Sequence, residues 1–220
     1  MQEDSILFVD KPANITSFGV VARIRRRLSQ QLGKKAKVGH TGTLDPFATG
    51  LMIIVTGKEC RNAMQYSKLD KEYEATIRLG QTSTTGDPEG QITDISDLQP
   101  TLEQVQIALE QFRGEITQRP PMHSAIKING QRAYKLARKG KVVEMPERHV
   151  TVFSLELIAY TYPELRIRTH VSSGTYIRTL AQDIGAALGT GAYCTQLRRT
   201  KVAEYSVAEA IVLPADELTR

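Results

Sequence analysis

Residues 39–50 read Gly39-His40-Thr41-Gly42-Thr43-Leu44-Asp45-Pro46-Phe47-Ala48-Thr49-Gly50 and run straight into the apolar, largely β-branched residues 51–55. No other segment restricts the fold so strongly. Three glycines give the backbone room, Pro46 fixes the turn after Asp45, and the apolar run that follows requires burial as a strand. The chain therefore carries a constrained polar loop at the edge of a sheet. It is not a phosphate loop, because Met52 stands where the glycine preceding Gly57-Lys58 would have to be.

The rest of the chain supplies the sheet and its cover. Residues 6–9 read as a short buried strand ended by Lys11-Pro12. Ser17 is placed to cap a helix whose apolar positions Val20, Val21, Ile24 and Leu28 share one face, with Gly33 beyond its end. From Tyr73 the alternation of Tyr73, Ala75, Ile77 and Leu79 with Glu74, Thr76 and Arg78 has the period of a half-buried strand. Thr101 and Gln104 form a capping box ahead of Val105, Leu109 and Phe112, with Gly114 closing that helix. Two strands are expected on either side of Tyr162-Pro163, and Ile177, Leu180, Ile184 and Leu188 predict a last helix closed by Gly189. Strands outnumber helices and are mostly hairpin-linked, so the expected class is α+β, with a mixed, mainly antiparallel sheet flanked by helices.

Composition matters mainly for what it excludes. Two cysteines, Cys60 and Cys194, without CxxC or Cys/His pairing give no disulfide framework and no zinc ribbon, and four histidines remote from one another show no metal-ligand spacing. No apolar run has the length of a leader or a membrane span, so a cytoplasmic protein is expected, with secreted, membrane and zinc-dependent classes set aside. The net charge is +5, and it is unevenly spread. Between Lys11 and Leu44 lie Lys11, Arg23, Arg25, Arg26, Arg27, Lys34, Lys35 and Lys37 with no acid. From Leu79 to Phe112 the pattern inverts, with Asp87, Glu89, Asp94, Asp97, Glu103 and Glu110 and no base. Two more basic clusters follow, Arg132, Lys135, Arg138, Lys139 and Lys141, then Arg198, Arg199 and Lys201. Any one cluster reads as a solvated face; three with an acidic counter-surface favour a nucleic-acid partner.

Candidate chemistry concentrates at a few positions. Asp45 is either a turn residue bonding its own backbone or a reactive carboxylate. Tyr73 shares the inward face with Ala75 and Ile77, as a core tyrosine or as a ring offered to a ligand. Ser172-Ser173-Gly174-Thr175-Tyr176-Ile177-Arg178 places Tyr176 and Arg178 where a strand turns into a helix. The dipole there disfavours a cation, so Arg178 requires a carboxylate or phosphate. Together these features suggest an RNA-handling protein with a carboxylate, an arginine and two tyrosines to hold a base.

These residues resemble the TruB family of tRNA pseudouridine synthases. The likeness rests on the motif Gly39-His40-Thr41-Gly42-x-Leu44-Asp45-Pro46-x-Ala48-Thr49-Gly50. It continues at Lys11-Pro12 with Thr16-Ser17, Lys71-x-Tyr73-x-Ala75, Leu79-Gly80, Pro120-Pro121-x-x-Ser124-Ala125-x-Lys127, Gly174-Thr175-Tyr176-Ile177-Arg178 and Leu197-Arg198-Arg199. The resemblance implies the pseudouridine synthase fold and conversion of the uridine at position 55, in the TΨC loop of tRNA, by base flipping, a reaction without redox or group transfer that needs no cofactor and no metal. It assigns the catalytic aspartate to Asp45 and the arginine that pairs with it to Arg178. Tyr73 matches the tyrosine stacked on the target base, a candidate for moving the carbon 5 proton. Tyr176 and Leu197 match apolar contacts around that base, and His40 the histidine that fills the place it leaves. Lys11, residues 25–27 and residues 132–141 become tRNA-backbone candidates.

Three departures from the family pattern stand out. Asn14 replaces a usual glycine, which a left-handed backbone tolerates. His123 replaces a usual tyrosine before Ser124-Ala125. No PUA domain is expected, so residues 1–220 read as one catalytic domain with a short C-terminal tail from about residue 203. A monomer acting on the T arm of tRNA, away from membranes, is expected. The rivals are a catalytically silent tRNA-binding chaperone, a hydrolase built on His40 and Asp45, and a relative working inside a guide-RNA complex.

Overall fold

The computed structural model describes residues 2–124, 126–128, 130–137 and 144–213. In chain order they form β1 (Ile6–Lys11), α1 (Ser17–Leu32), β2 (Val38–His40), β3 (Thr49–Thr56), α2 (Ala63–Ser67), β4 (Lys71–Leu79), β5 (Gln81–Ser83) and β6 (Ile92–Asp94). There follow α3 (Leu102–Glu110), β7 (Gly114–Gln118), β8 (Lys127–Ile128), β9 (Gln131–Arg132), α4 (Ala133–Ala137) and β10 (Arg148–Thr161). The chain closes with β11 (Glu164–Val171), α5 (Ile177–Ala187), β12 (Ala192–Val202), β13 (Tyr205–Ser206) and β14 (Ile211–Val212). Most of the strand pairings are antiparallel, β1 with β14 and β3 with β12 being parallel, and the α+β class expected from the sequence holds. Among the described residues no helix is long and apolar enough to cross a membrane.

Two compact units make up the chain, Met1–Tyr73 with Leu197–Arg220 and Glu74–Gln196. In the first unit the strand order is β14-β1-β3-β12. β3 lies between antiparallel β1 and parallel β12, so both of its edges are paired, and residues 50–56 are all buried as a central strand's are. Leu51, Ile53 and Val202 form the centre of one core cluster, against which Phe8, Tyr66, Leu69 and Tyr205 pack. The α1 stripe Val20, Val21, Ile24 and Leu28 is buried as its period required, and Gly33 ends the helix at φ 65°. Thr16, not Ser17, is the N-cap: its hydroxyl accepts from the Gly19 amide, and Ser17 turns inward as the first helical residue.

In the second unit the order is β4-β11-β10-β7. β10 and β11 form the hairpin expected around Tyr162-Pro163, with a cis peptide at its turn. α3 carries the full Thr101/Gln104 capping box, although it ends at Glu110, so that Gly114 opens β7 rather than closing the helix. The core here is Ile77, Leu79, Leu155, Leu165, Ile167, Leu180 and Ile184.

Candidate active site

The polar loop of residues 41–48 is the connection of a β-hairpin. β2 pairs antiparallel with β3, His40 opposite Ile54, and the Thr41 amide still donates to the Ile53 carbonyl before the chain swings out. At the tip, Ala48 N–H bonds the Asp45 carbonyl at 3.2 Å, a tight turn with Asp first and Pro second, the placement each residue favours. Leu44 and Ala48 are buried, whereas Asp45 is only partly so. The carboxylate therefore rides on a loop whose shoulders are sunk in the protein.

Side chains from elsewhere in the first unit grip those shoulders. Ser17 Oγ donates to the Leu44 carbonyl at 2.7 Å and accepts from the Leu44 amide at 2.8 Å. On the other side of Asp45, the Pro46 carbonyl accepts from the Asn14 amide at 2.8 Å and from Lys11 Nζ at 3.0 Å. Lys11 Nζ also donates to the Pro12 and Ile15 carbonyls, at 2.9 and 2.8 Å, and the side chain has 0% exposure. The sequence resemblance makes Lys11 a tRNA-backbone candidate, whereas these contacts are with the protein's own carbonyls. The ammonium is buried with carbonyl acceptors around it. Asn14 adopts φ 63°, so the left-handed turn that glycine would provide survives the substitution.

Arg199 completes the scaffold from β12. It is 2% exposed, with Nε donating to the Leu51 carbonyl at 2.6 Å and Nη2 to the Gly42 carbonyl at 3.2 Å. Arg198 makes a two-pronged ion pair with Asp10 at 3.1 and 2.7 Å, and Lys201 pairs with Glu72 at 3.2 Å. The third basic cluster of the sequence is thus ion-paired or bonded within the protein, Arg199 wholly and Arg198 and Lys201 with part of each side chain still exposed. Arg138, Lys139 and Lys141 of the second cluster, with Ala125 of the Pro120-Pro121 motif, lie outside the described residues.

Tyr73 is buried in β4 on the face it shares with Ala75, Ile77 and Leu79, and Leu197 is buried in β12. At the foot of β4, Lys71 Nζ donates to the Ser67 carbonyl at 2.7 Å and to the Leu69 carbonyl. Burial, reinforced by the charge of Arg199, brings its pKa down to about 8.

The second unit holds Tyr176 and Arg178. Tyr176 is the N-cap of α5, and its backbone is locked by Gln118, whose amide group both accepts from Tyr176 N–H at 3.0 Å and donates to its carbonyl at 3.3 Å. Arg178 is 3% exposed. Its Nη1 bonds Asp87 Oδ2 at 2.9 Å and the Thr85 carbonyl at 2.7 Å, while Nη2 bonds the His123 carbonyl at 2.9 Å. Asp87 is itself fixed by the Thr85 hydroxyl and the Glu89 amide. The carboxylate that a cation near a helix start requires is therefore provided, within this unit, by Asp87. His123 takes part through its carbonyl, a contact that does not depend on its side chain.

Asp45 thus sits on a clamped loop of the first unit, and Arg178 is buried and oriented within the second. Residues 26–177 match the family described as TruB family pseudouridylate synthase (N terminal domain), and residues 178–219 match the tRNA pseudouridylate synthase B C-terminal domain. The chain belongs to the TruB family. The tRNA pseudouridine synthase B of Azoarcus sp. is 44% identical over 97% of this chain and 70% of its own length. That of Phocaeicola vulgatus is 45% identical over 96% of this chain and 90% of its own. Among solved structures, a chain of a Cbf5-Nop10-Gar1 complex superposes with a TM-score of 0.73 at 29% identity, over 96% of this chain and 53% of that one.

Several residues of this TruB-family site were not singled out from sequence. Asp87 was counted among surface acids, yet it is 3% exposed and holds Arg178. Its signal was the Thr84-Thr85-Gly86-Asp87-Pro88 turn, a cluster of turn formers too specific for a plain acidic face. Ser17 and Arg199 were read as a cap and a surface base, and both anchor the Asp45 loop. Among the described residues no group of three or more His, Cys, Asp or Glu could hold a metal ion.

Proposed function

We propose that this TruB-family enzyme isomerises the uridine at position 55 of tRNA, in the T arm, to pseudouridine, acting as a monomer. The observation that supports it most is Asp45 itself, partly exposed on a loop whose peptide groups on either side are tied to Ser17, Lys11 and Asn14. Relatives named tRNA pseudouridine synthase B that span nearly all of this chain support the substrate class.

The reaction breaks the bond between uracil N1 and the ribose, turns the base, forms the C5–C1′ bond and releases the C5 proton to water, while N1 takes up a proton in its place. Asp45 supplies the carboxylate beside sugar and base, as nucleophile or base. Loop rigidity helps because a misplaced reactive group loses orders of magnitude in rate. Tyr73 stacks on the extruded uracil and is placed to move its C5 proton, with Tyr176 and Leu197 as apolar contacts. His40, at the end of β2, fills the place the base vacates. Arg178, aimed by Asp87 and two carbonyls, is the cation of the site. The higher identity to relatives named tRNA pseudouridine synthase B than to the chain of the Cbf5-Nop10-Gar1 complex favours an enzyme that acts alone on tRNA.

Carbodiimide labelling and primer extension on an unmodified tRNA transcript incubated with the protein test this reading. A single enzyme-dependent stop at position 55, absent from a transcript carrying cytidine there, is expected. No stop, or stops elsewhere, would overturn it.

A further inference from the structure

α1 carries a feature that neither the core nor the reaction uses. Phe18 is 66% exposed, on the second residue of the helix, where burial of Val20, Val21, Ile24 and Leu28 turns it to solvent. A lone exposed apolar residue is ordinary, but this ring is not alone. Arg25, two turns on, places its guanidinium carbon 5.9 Å from the ring centroid. The same guanidinium is pinned by a 2.9 Å bond from Nη2 to the Val38 carbonyl, in the strand that ends at His40. Ser17, the adjacent residue, grips both polar groups of Leu44 beside Asp45. Phe18 and Arg25 are thereby tied at two points to the hairpin that carries the reactive carboxylate.

The surroundings select the partner. No acid occurs from Lys11 to Leu44, and Arg26, Arg27, Lys35 and Lys37 are exposed. An exposed aromatic ring beside a guanidinium in a one-signed positive field is the combination that holds an unstacked nucleotide, the ring against the base and the cations along the backbone.

We propose that Phe18 and Arg25 form a second base seat, stacking an unpaired nucleotide of the substrate RNA and positioning the RNA over the Asp45 loop. The inference rests on the RNA-modifying activity proposed above and adds to it a recognition site apart from the residues that hold the target uridine. Stacking on such a ring is worth roughly 5- to 100-fold in affinity.

The chain has no tryptophan, so Phe18→Trp installs a unique fluorophore at the seat. Titration with a T-arm hairpin RNA is expected to quench its emission, with product formation retained. Phe18→Leu, which keeps an apolar side chain but removes the ring, is expected to raise KM about tenfold, the loss falling on KM rather than kcat. Unquenched emission from a Phe18→Trp protein that still forms product, together with a wild-type KM for Phe18→Leu, would overturn the seat alone. Absence of product with the wild-type chain would overturn the parent reading and the seat with it.

Discussion

At the scale of single residues, two lysines show how burial decides what a charge does. Lys11 spends its ammonium on three carbonyls, one of them beside Asp45. Lys11→Met leaves at least the Pro12 and Ile15 carbonyls without that donor. It is expected to cost about 2 kcal/mol, read as a lower urea midpoint, with a fall in kcat as the Pro46 side of the loop loosens. Lys71 has the opposite character, its charged form disfavoured by burial and by Arg199. Its folded pKa of about 8 lies below the 10.5 of a free lysine, so the fold bears the full penalty of the charged form below pH 8. That penalty is shed as pH rises from about 8 to 10.5, because the unfolded chain there binds the extra proton. The stability of the wild type relative to Lys71→Met is therefore expected to improve between pH 8 and pH 10, measured by urea unfolding at each pH. Neither behaviour was legible in the sequence, where a lysine beside Pro12 and another between Asp70 and Glu72 both read as solvated cations. The same holds for Asp87, which joined an acidic run by composition and left it by packing. Asp45, in contrast, was legible, because Asp-Pro between glycines announces its own turn.

At the scale of elements, periodicity and turn chemistry carried most of the fold. The α1 stripe, the β4 alternation, the α3 capping box and the β10–β11 hairpin depend on local spacing, and all four formed. What spacing could not deliver was the pairing of β3 with β12, since parallel neighbours distant in sequence leave no local mark. That pairing imposes a demand at Gly50, which adopts φ 105° with the Arg199 backbone against it. A β-carbon there would lie 2.3 Å from the Arg199 carbonyl oxygen. Backbone cannot yield as a side-chain tip does, so Gly50→Ala must separate β3 from β12. It is expected to destabilise by about 3 kcal/mol or more and to release Arg199 from Leu51 and Gly42. Thermal unfolding, with activity measured below the transition, checks both. The choice of Thr16 over Ser17 as helix cap was likewise beyond local reasoning: either hydroxyl can cap, and the Leu44 peptide decides by claiming Ser17.

At the scale of the whole molecule, charge was the least reliable guide. Of the basic clusters that suggested a polyanion, the one at residues 198–201 is bonded to Asp10, Glu72 and backbone carbonyls. The α1 face and the residues after it keep exposed cations. The acidic stretch likewise divides into exposed Asp94, Asp97, Glu103 and Glu110 and the buried Asp87. The proposed function therefore rests on the held carboxylate of Asp45 rather than on net charge. Tritium release from tRNA bearing 5-tritiated uridine, under single-turnover conditions, tests that claim most directly. Wild-type protein is expected to release one tritium per tRNA, and Asp45→Asn, nearly the same in shape and still able to hold the turn, to release none above background while binding the tRNA as tightly. Release by Asp45→Asn at the wild-type rate, or none by the wild type despite binding, would contradict the account.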